Sequence, residues 1–299
     1  MARRDLIGGV EAGGTKIVCG IGTGPDDLES VTFPTVTPDE NIRQAIQFFR
    51  NKTGPKLAAL GIASFGPIDL DPKSTSYGHI TTTPKEDWQN FNIVGAMAKA
   101  LSVPVAFETD VNAAALAEAE WGAARDVEDC VYITVGTGIG GGVVVKGRAV
   151  HGLLHPEIGH LRVPHKVEED AFPGSCPFHG DCLEGLASGP AMAKRWGCPA
   201  ESLPATHPAW ELEADYLAAA IATLTCTVSP HRIILGGGVM QQDALFPMIR
   251  RKVVRLINGY IAKPQLNEGI DLYIVPPHLG RHSGVLGAIL LAGRLASGG

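Results

Sequence analysis

Nowhere do the 299 residues contain a run of about 18 or more apolar residues, so the chain offers no bilayer-spanning segment. The features of an exported protein are equally scarce. Met1-Ala2-Arg3-Arg4-Asp5 leads into a short apolar stretch that glycine and Glu11 interrupt, which is not a signal-peptide core. A surplus of positive charge is also missing. With 25 Lys and Arg against 31 Asp and Glu the net charge is −6, whereas nucleic-acid binders gather Lys and Arg on one face. No G-x-x-x-x-G-K-[ST] string occurs, which removes the main support for a P-loop ATPase. Low-complexity linkers and charged tails are absent too. The expectation is a cytoplasmic protein that meets neither membrane nor nucleic acid. In that reducing compartment the six cysteines are not expected to form a disulfide framework, so their spacing decides between metal binding and burial.

A chain of this length exceeds what one hydrophobic core usually serves, so two lobes sharing a cleft are expected. Its 37 glycines are a mild excess that turns must explain. Residues 6–22 read as a strand, a tight turn at Glu11-Ala12-Gly13-Gly14-Thr15-Lys16, and a second strand. The same grammar returns at 130–146, where Val131-Tyr132-Ile133-Thr134-Val135 leads through Gly136-Thr137-Gly138-Ile139-Gly140-Gly141-Gly142 into Val143-Val144-Val145. One device used twice predicts a duplicated α/β fold with its two glycine turns facing each other. Between the hairpins the spacing predicts a helix over 40–50, a strand over 57–62, a long binding loop over 69–92, a strand over 104–108 and a helix over 111–121. Further on come a polar insertion over 151–185, helices over 190–196 and 210–225, a strand over 232–235, and a closing helix over 285–295. The expected division assigns 1–112 with 285–299 to one lobe and 113–284 to the other.

Backbone N–H groups in a turn without side chains surround phosphate oxygens well, and in the first turn Thr15 adds a hydroxyl and Lys16 a positive charge. An ordinary hairpin explains Gly13-Gly14 by itself. The second turn, Gly136-Thr137-Gly138, makes the phosphate reading stronger. Its G-x-G-x-G string precedes a strand rather than a helix, which is the wrong context for a dinucleotide fingerprint. The third cluster, Gly236-Gly237-Gly238-Val239-Met240, ends a strand before an expected helix and admits a flat base or ribose close to the backbone. Three such clusters point to a nucleotide lying in the cleft.

Asp110, at a strand's carboxyl end, is the candidate general base, although an Asp just before a helix also serves as its N-cap. Cys176-Pro177-Phe178-His179-Gly180-Asp181-Cys182 places two thiols and an imidazole at three-residue intervals, with His160 upstream as a fourth ligand. That set suits a closed, structural, tetrahedral zinc site; buried thiols are the alternative, and His151, His155 and His165 are spare histidines able to displace one ligand. Glu157 and Glu184 flank this segment as carboxylates able to accept paired hydrogen bonds from vicinal sugar hydroxyls.

Six ordered stretches resemble the ROK sugar kinases (repressors, open reading frames, kinases) and within them the bacterial fructokinases. They are Glu11-Ala-Gly-Gly-Thr-Lys16, Thr81-Thr-Thr-Pro-Lys85 with Trp88, Glu108-Thr-Asp-Val-Asn112, Gly136-Thr-Gly-Ile-Gly-Gly-Gly142, His155-Pro-Glu-Ile-Gly-His160 and Cys176-Pro-Phe-His-Gly-Asp-Cys-Leu-Glu184. The resemblance spans nearly the whole chain. It implies an actin-like ATPase fold, transfer of the ATP γ-phosphoryl group to the 6-hydroxyl of fructose, a need for Mg²⁺, and a homodimer. By that likeness Asp110 is the base; Glu157, His160 and Glu184 face the sugar; His160, Cys176, His179 and Cys182 hold structural zinc; Thr137, Pro190 and Gly236 to Met240 contact ATP. Two departures stand out. Glu11 occupies the acidic place where the family usually has Asp, a feature of its fructokinase-like members, and His179 replaces a cysteine common in the family's zinc sites.

The expected mechanism follows from this set. Sugar binding closes the lobes and excludes water, and Asp110 deprotonates the attacking hydroxyl. A glucokinase, mannokinase or broader hexokinase is the runner-up. A sugar-responsive repressor needs a DNA-binding segment ahead of the first strand, where only about five residues stand, and a sugar sensor has no use for a base beside three nucleotide turns.

Overall fold

The structure is a computed structural model that describes residues 6–53 and 57–298. The Met1–Asp5 segment read above lies outside the described residues. Within them the chain forms two compact units. One comprises the chain up to Gly122, Arg148–His155, and the chain from Arg281 onward; the other is Ala123–Gly147 with Pro156–Gly280.

The first unit is built on a five-stranded sheet. Strand Leu6–Ala12 turns at Gly13-Gly14 into antiparallel strand Lys16–Gly22, which pairs in turn with Glu29–Pro34. On its other edge Leu6–Ala12 runs parallel to Leu57–Ser64, and Leu57–Ser64 runs parallel to Val105–Thr109. The two faces of Leu57–Ser64 differ in side-chain size because alternate residues point to opposite sides. Leu60 and Ile62 join the large core formed with Ala45 and Phe49 of helix Pro38–Thr53 and with Ile93 and Met97 of helix Ile93–Leu101. Ala59, Gly61 and Ala63 form a face of small residues that receives the last helix, Ser283–Ala296. A methyl group at Gly61 would overlap the Ala288 carbonyl, and one at Gly287 would overlap Ala113 of helix Asp110–Trp121.

The second unit repeats the opening. Strand Cys130–Val135 turns at Gly136-Thr137-Gly138 into antiparallel Ile139–Val145, and runs parallel to Arg232–Gly236, which runs parallel to Ile274–Val275. Helices Ala209–Thr227 and Leu245–Ile257 pack against each other. Two short helices, Leu183–Ala187 and Gly189–Trp196, follow the polar insertion.

The element order is close to the expected one, with three differences. Helix Asp110–Trp121 stays whole in the first unit, because Ala113 lies against Gly287 of the last helix, so the expected division at 112 falls inside it. The insertion expected over 151–185 is divided at His155. His151 Nε2 pairs with Glu108 at 2.8 Å and His155 Nε2 accepts the Ile68 N–H at 3.3 Å, which fastens Arg148–His155 to the first unit. The loop expected over 69–92 carries a small antiparallel ribbon, His79–Ile80 with Phe91–Asn92, and the short helix Glu86–Trp88.

Gly61→Ala is expected to lower stability by about 2–3 kcal/mol, because rigid backbone rather than a flexible side chain meets the new methyl group. Gly293→Ala, in the same last helix but with nothing within 4 Å of its added methyl, is expected to raise stability by about 0.5–1 kcal/mol. Urea unfolding of the two variants beside wild type checks both signs.

Candidate active site

In the first unit the glycine turn has its Ala12, Gly13, Thr15 and Lys16 carbonyls occupied and leaves donors open. Thr35 Oγ1 donates to Gly13 O at 2.7 Å, Thr35 N–H to Thr15 O at 3.0 Å, and Phe65 N–H to Ala12 O at 2.8 Å. Gly13 N–H closes the turn on Lys16 O at 2.9 Å. The Gly14 and Thr15 N–H groups make no hydrogen bond among the described residues. The space where a Gly14 side chain would start is open, its nearest neighbour being Lys85 Cε at 3.8 Å. Two free donors, an open approach and two lysines, Lys16 and Lys85, make an anion cradle. Lys85 comes from the 69–92 segment, which thereby reaches the turn.

Asp110 opens helix Asp110–Trp121 but does not cap it. Thr109 is the N-cap, its hydroxyl accepting the Asn112 N–H at 3.1 Å, while Asp110 Oδ1 accepts the Val111 N–H at 2.9 Å. The capping alternative for Asp110 is thus taken by its neighbour. Burial pushes the Asp110 carboxyl up to about 6 against the pull of that backbone hydrogen bond. Glu11 is pushed further, to about 7, first by burial, with Lys16 opposing and the nearby Asp110 adding to the rise. One Glu11 oxygen takes the Val285 N–H in the first turn of the last helix; the other, Oε2, is buried with no hydrogen-bond partner. A methyl group at Gly284 would stand 2.5 Å from the Glu11 carboxyl carbon, so glycine is what lets the helix come this close. An orphaned carboxylate oxygen beside the half-buried Asp110 carboxyl suits a hard divalent cation such as Mg²⁺.

The sequence reading gave Glu108 no role of its own. Its buried carboxylate accepts the Thr109 N–H at 2.9 Å, Asn112 Nδ2 at 3.0 Å and His151 Nε2 at 2.8 Å. These bonds fix the strand-to-helix corner that carries Asp110, and they raise the His151 imidazole above its ordinary value through the hydrogen bond to Glu108. The i, i+4 spacing of Glu108 and Asn112 was the available signal. The link to His151 joins residues 43 apart and had none.

In the second unit three predicted groups converge. Gly136 N–H donates to Gly138 O at 2.9 Å, and Gly189 N–H donates to Gly136 O at 2.8 Å, which seats the start of the Pro190 helix on the second turn. The Thr137 and Gly138 N–H groups make no hydrogen bond among the described residues. Gly237 has φ +94° and a side chain there would overlap the Val135 backbone, so only glycine serves. At Gly238 nothing lies within 4 Å of the side-chain position, and Gly238 N is the nearest atom to that of Gly136, at 3.8 Å. Gly136, Gly189, Gly238 and Val239 thus lie together, with open space at Gly238, while Gly236 and Met240 are buried behind them. The third cluster continues into the short helix Val239–Gln241 before helix Leu245–Ile257 begins.

His160, Cys176, His179 and Cys182 also come together, their ligand atoms all within 4.8 Å of one another. His160 Nδ1 lies 3.5 Å from Cys182 Sγ and 3.8 Å from Cys176 Sγ, and His179 Nδ1 lies 3.6 Å from Cys176 Sγ. A tetrahedral zinc bound at about 2.3 Å to sulfur and about 2.0–2.1 Å to nitrogen has S···N edges of about 3.6 Å, so the four residues fit the ion. Burial pushes the Cys182 thiol up to about 11, with Cys176 beside it adding to the rise, so a bound cation is what would let Cys182 ionise. The spare histidines are engaged elsewhere: His151 on Glu108, His155 on Ile68, and His165 between Asp181 Oδ2 at 3.4 Å and Asp170 O at 3.0 Å. Of the other cysteines, Cys19 and Cys130 are buried in strands, Cys198 is half-buried and Cys226 exposed.

The sugar candidates flank this cluster. Glu157 is exposed at the start of the short helix Ile158–His160, and its carbonyl accepts the His160 N–H at 3.0 Å. Glu184 follows Cys182 by two residues, and its Oε2 accepts the Ile139 N–H at 2.9 Å. Among the described residues no helix is long and apolar enough to cross a membrane.

The chain is similar to known proteins over nearly its whole length. The model described as "ROK family" matches residues 7–294. A putative fructokinase of Bacillus subtilis (strain 168) is 46% identical over 288 residues, 96% of this chain and 95% of that one. A fructokinase of Pediococcus pentosaceus is 43% identical, covering 96% and 97%. Among solved structures, a ROK family glucokinase from Streptomyces griseus in complex with glucose and AMPPNP aligns over 97% of this chain and 99% of that one, with TM-score 0.78 and 25% identity.

Replacing Glu11 by Gln removes a group whose folded value lies above its ordinary one. Such a carboxyl binds its proton more tightly when folded, so it costs stability as pH rises from about 4.5 through about 7. The stability difference between Glu11→Gln and wild type is therefore expected to shift in the variant's favour by about 2–3 kcal/mol across that window, measured by denaturant unfolding of metal-free protein at each pH.

Proposed function

The chain belongs to the ROK family, and from that premise we propose that it is an ATP-dependent fructokinase, transferring the γ-phosphoryl group of ATP to the 6-hydroxyl of D-fructose. The single observation that carries the reading beyond family is the Asp110 carboxyl, half-buried at the start of helix Asp110–Trp121 and raised to about 6 by loss of water. A base poised there is deprotonated at neutral pH yet basic enough to take a hydroxyl proton.

The roles divide by residue. Asp110 accepts the proton of the attacking hydroxyl as its oxygen bonds the γ-phosphorus and the bond to ADP breaks. Gly14 and Thr15 offer free N–H groups to phosphate oxygens, with Gly13 shaping the turn and Lys16 adding charge. Thr137 and Gly138 do the same from the second turn; Gly136, Pro190, Gly237, Gly238 and Val239 border the space for the rest of the nucleotide, with Gly236 and Met240 buried behind them. Glu157 and Glu184 accept hydrogen bonds from sugar hydroxyls, and His160, whose Nδ1 faces Cys176 and Cys182, donates its Nε2–H to one. Glu11 would hold Mg²⁺, which when bound would supply charge neutralisation on the phosphoryl oxygens. His160, Cys176, His179 and Cys182 would hold a structural zinc, which would give an insertion of little core a fixed point and leave the second His160 nitrogen for sugar. The reading places the enzyme in the cytoplasm, where ATP is available and thiols stay reduced, and as a homodimer by family likeness.

ADP release from zinc-replete protein with Mg-ATP is expected with fructose in preference to glucose, mannose and N-acetylated hexosamines. Preference for another of these sugars would keep the mechanism and replace the substrate; silence with all of them would overturn the kinase reading. Asp110→Asn is expected to lower kcat by about 10²–10⁴-fold while nucleotide affinity changes by less than about threefold. In wild type kcat/KM should fall about tenfold per pH unit below about 6, as the base protonates. Metal analysis should find zinc bound one to one, and Cys182→Ser should lose it and melt at lower temperature.

A further inference from the structure

The second glycine turn is held at both ends by one short stretch of chain. At its entry Gly189 N–H donates to Gly136 O at 2.8 Å. At its exit Ile139, the first residue of strand Ile139–Val145, gives its N–H to Glu184 Oε2 at 2.9 Å rather than to the sheet. The approach is tight: a methyl group at Gly138 would stand 2.7 Å from that same oxygen. Gly138 lacks the positive φ of Gly237, so this contact rather than backbone strain is what an added methyl would meet. Glu184 is itself held, two residues beyond Cys182 in helix Leu183–Ala187, with its carbonyl accepting the Ser188 N–H at 3.1 Å.

We propose that Glu184 is a positioning residue for the phosphate turn Gly136–Gly138, so that the carboxylate assigned to the sugar also sets the affinity for nucleotide. The inference rests on the kinase reading above. A carboxylate accepting a backbone N–H makes a charge-assisted bond, and removing it strands a part-buried donor at the turn whose Thr137 and Gly138 N–H groups must point at phosphate. With Oε2 committed to Ile139, Oε1 is the oxygen offered to a sugar hydroxyl. A sugar bound there fixes the carboxylate's orientation and so pre-orders the turn, and by linkage nucleotide tightens sugar to the same degree.

Calorimetric titration of zinc-loaded protein with ADP, in the absence of sugar, separates this role from sugar recognition. Glu184→Gln keeps a carbonyl acceptor for the Ile139 N–H, so its ADP affinity is expected to stay within about twofold of wild type while its KM for fructose rises about tenfold. Glu184→Ala loses the acceptor, and its ADP affinity is expected to fall about tenfold with no sugar present. Wild-type ADP affinity in a folded Glu184→Ala protein overturns the proposal. Should that variant not fold, Gly138→Ala decides: it leaves Glu184 in place but displaces its oxygen, and is expected to show the same loss, whereas wild-type ADP affinity there overturns the proposal. Wild-type protein that binds no ADP at all removes the kinase reading, and this inference with it, an outcome visible without any variant.

Discussion

Helix Ser283–Ala296 approaches its sheet closely enough that a single methyl group at Gly61 has no room, and the chemistry of the first unit depends on that approach. Ala59, Gly61 and Ala63 present almost no side chain, so backbone meets backbone and the helix start reaches the first strand. Val285 N–H then falls on the Glu11 carboxylate, and Gly284 leaves room for it. Gly287 admits Ala113 in the same way, which sets helix Asp110–Trp121 and so the position of Asp110. Larger residues at these points would strengthen hydrophobic burial locally and move both carboxyls. Small residues are retained because position matters more there than buried area.

Three acids in the first unit show how environment assigns different work to one chemical group. Glu108 is buried but saturated by Thr109, Asn112 and His151, which makes it a structural brace. Asp110 is half-buried with few partners, and loss of water raises its carboxyl to about 6. Glu11 keeps one oxygen unpaired and next to Asp110, which leaves it able to meet a cation. Sequence position alone ranks these acids poorly, since all three stand at or just beyond the carboxyl end of a strand.

In the second unit an insertion with little core is organised around four side chains that converge on one point. Helix Leu183–Ala187 leaves that cluster directly, so a fixed Cys182 places Glu184 and, through Ile139, the exit of the glycine turn. The Asp170 carboxylate, taking Tyr216 Oη at 2.6 Å and Arg195 Nη2 at 3.0 Å, ties the Gly189–Trp196 helix to the same insertion. A polar loop thereby acquires the rigidity that a hydrophobic core supplies elsewhere.

The duplicated strand-turn-strand openings, the three glycine clusters, the metal-ligand spacing and the strand-end Asp110 were all legible in the chain, because each is a local pattern written within about ten residues. Periodicity also located most helices, though it left the unit boundary inside Asp110–Trp121, since no local signal says which neighbour a helix will pack on. The sequence left four histidines as candidates for one place in the cluster, and long-range packing brings His160 to the two cysteines while His151, His155 and His165 are engaged elsewhere. Tertiary structure alone decided that Thr109 rather than Asp110 caps its helix, that Glu108 meets His151, and that Glu184 binds the second turn. Those outcomes depend on distances between residues far apart in the chain and on how much water is excluded from each carboxyl. Neither quantity exists until the strands and helices have packed.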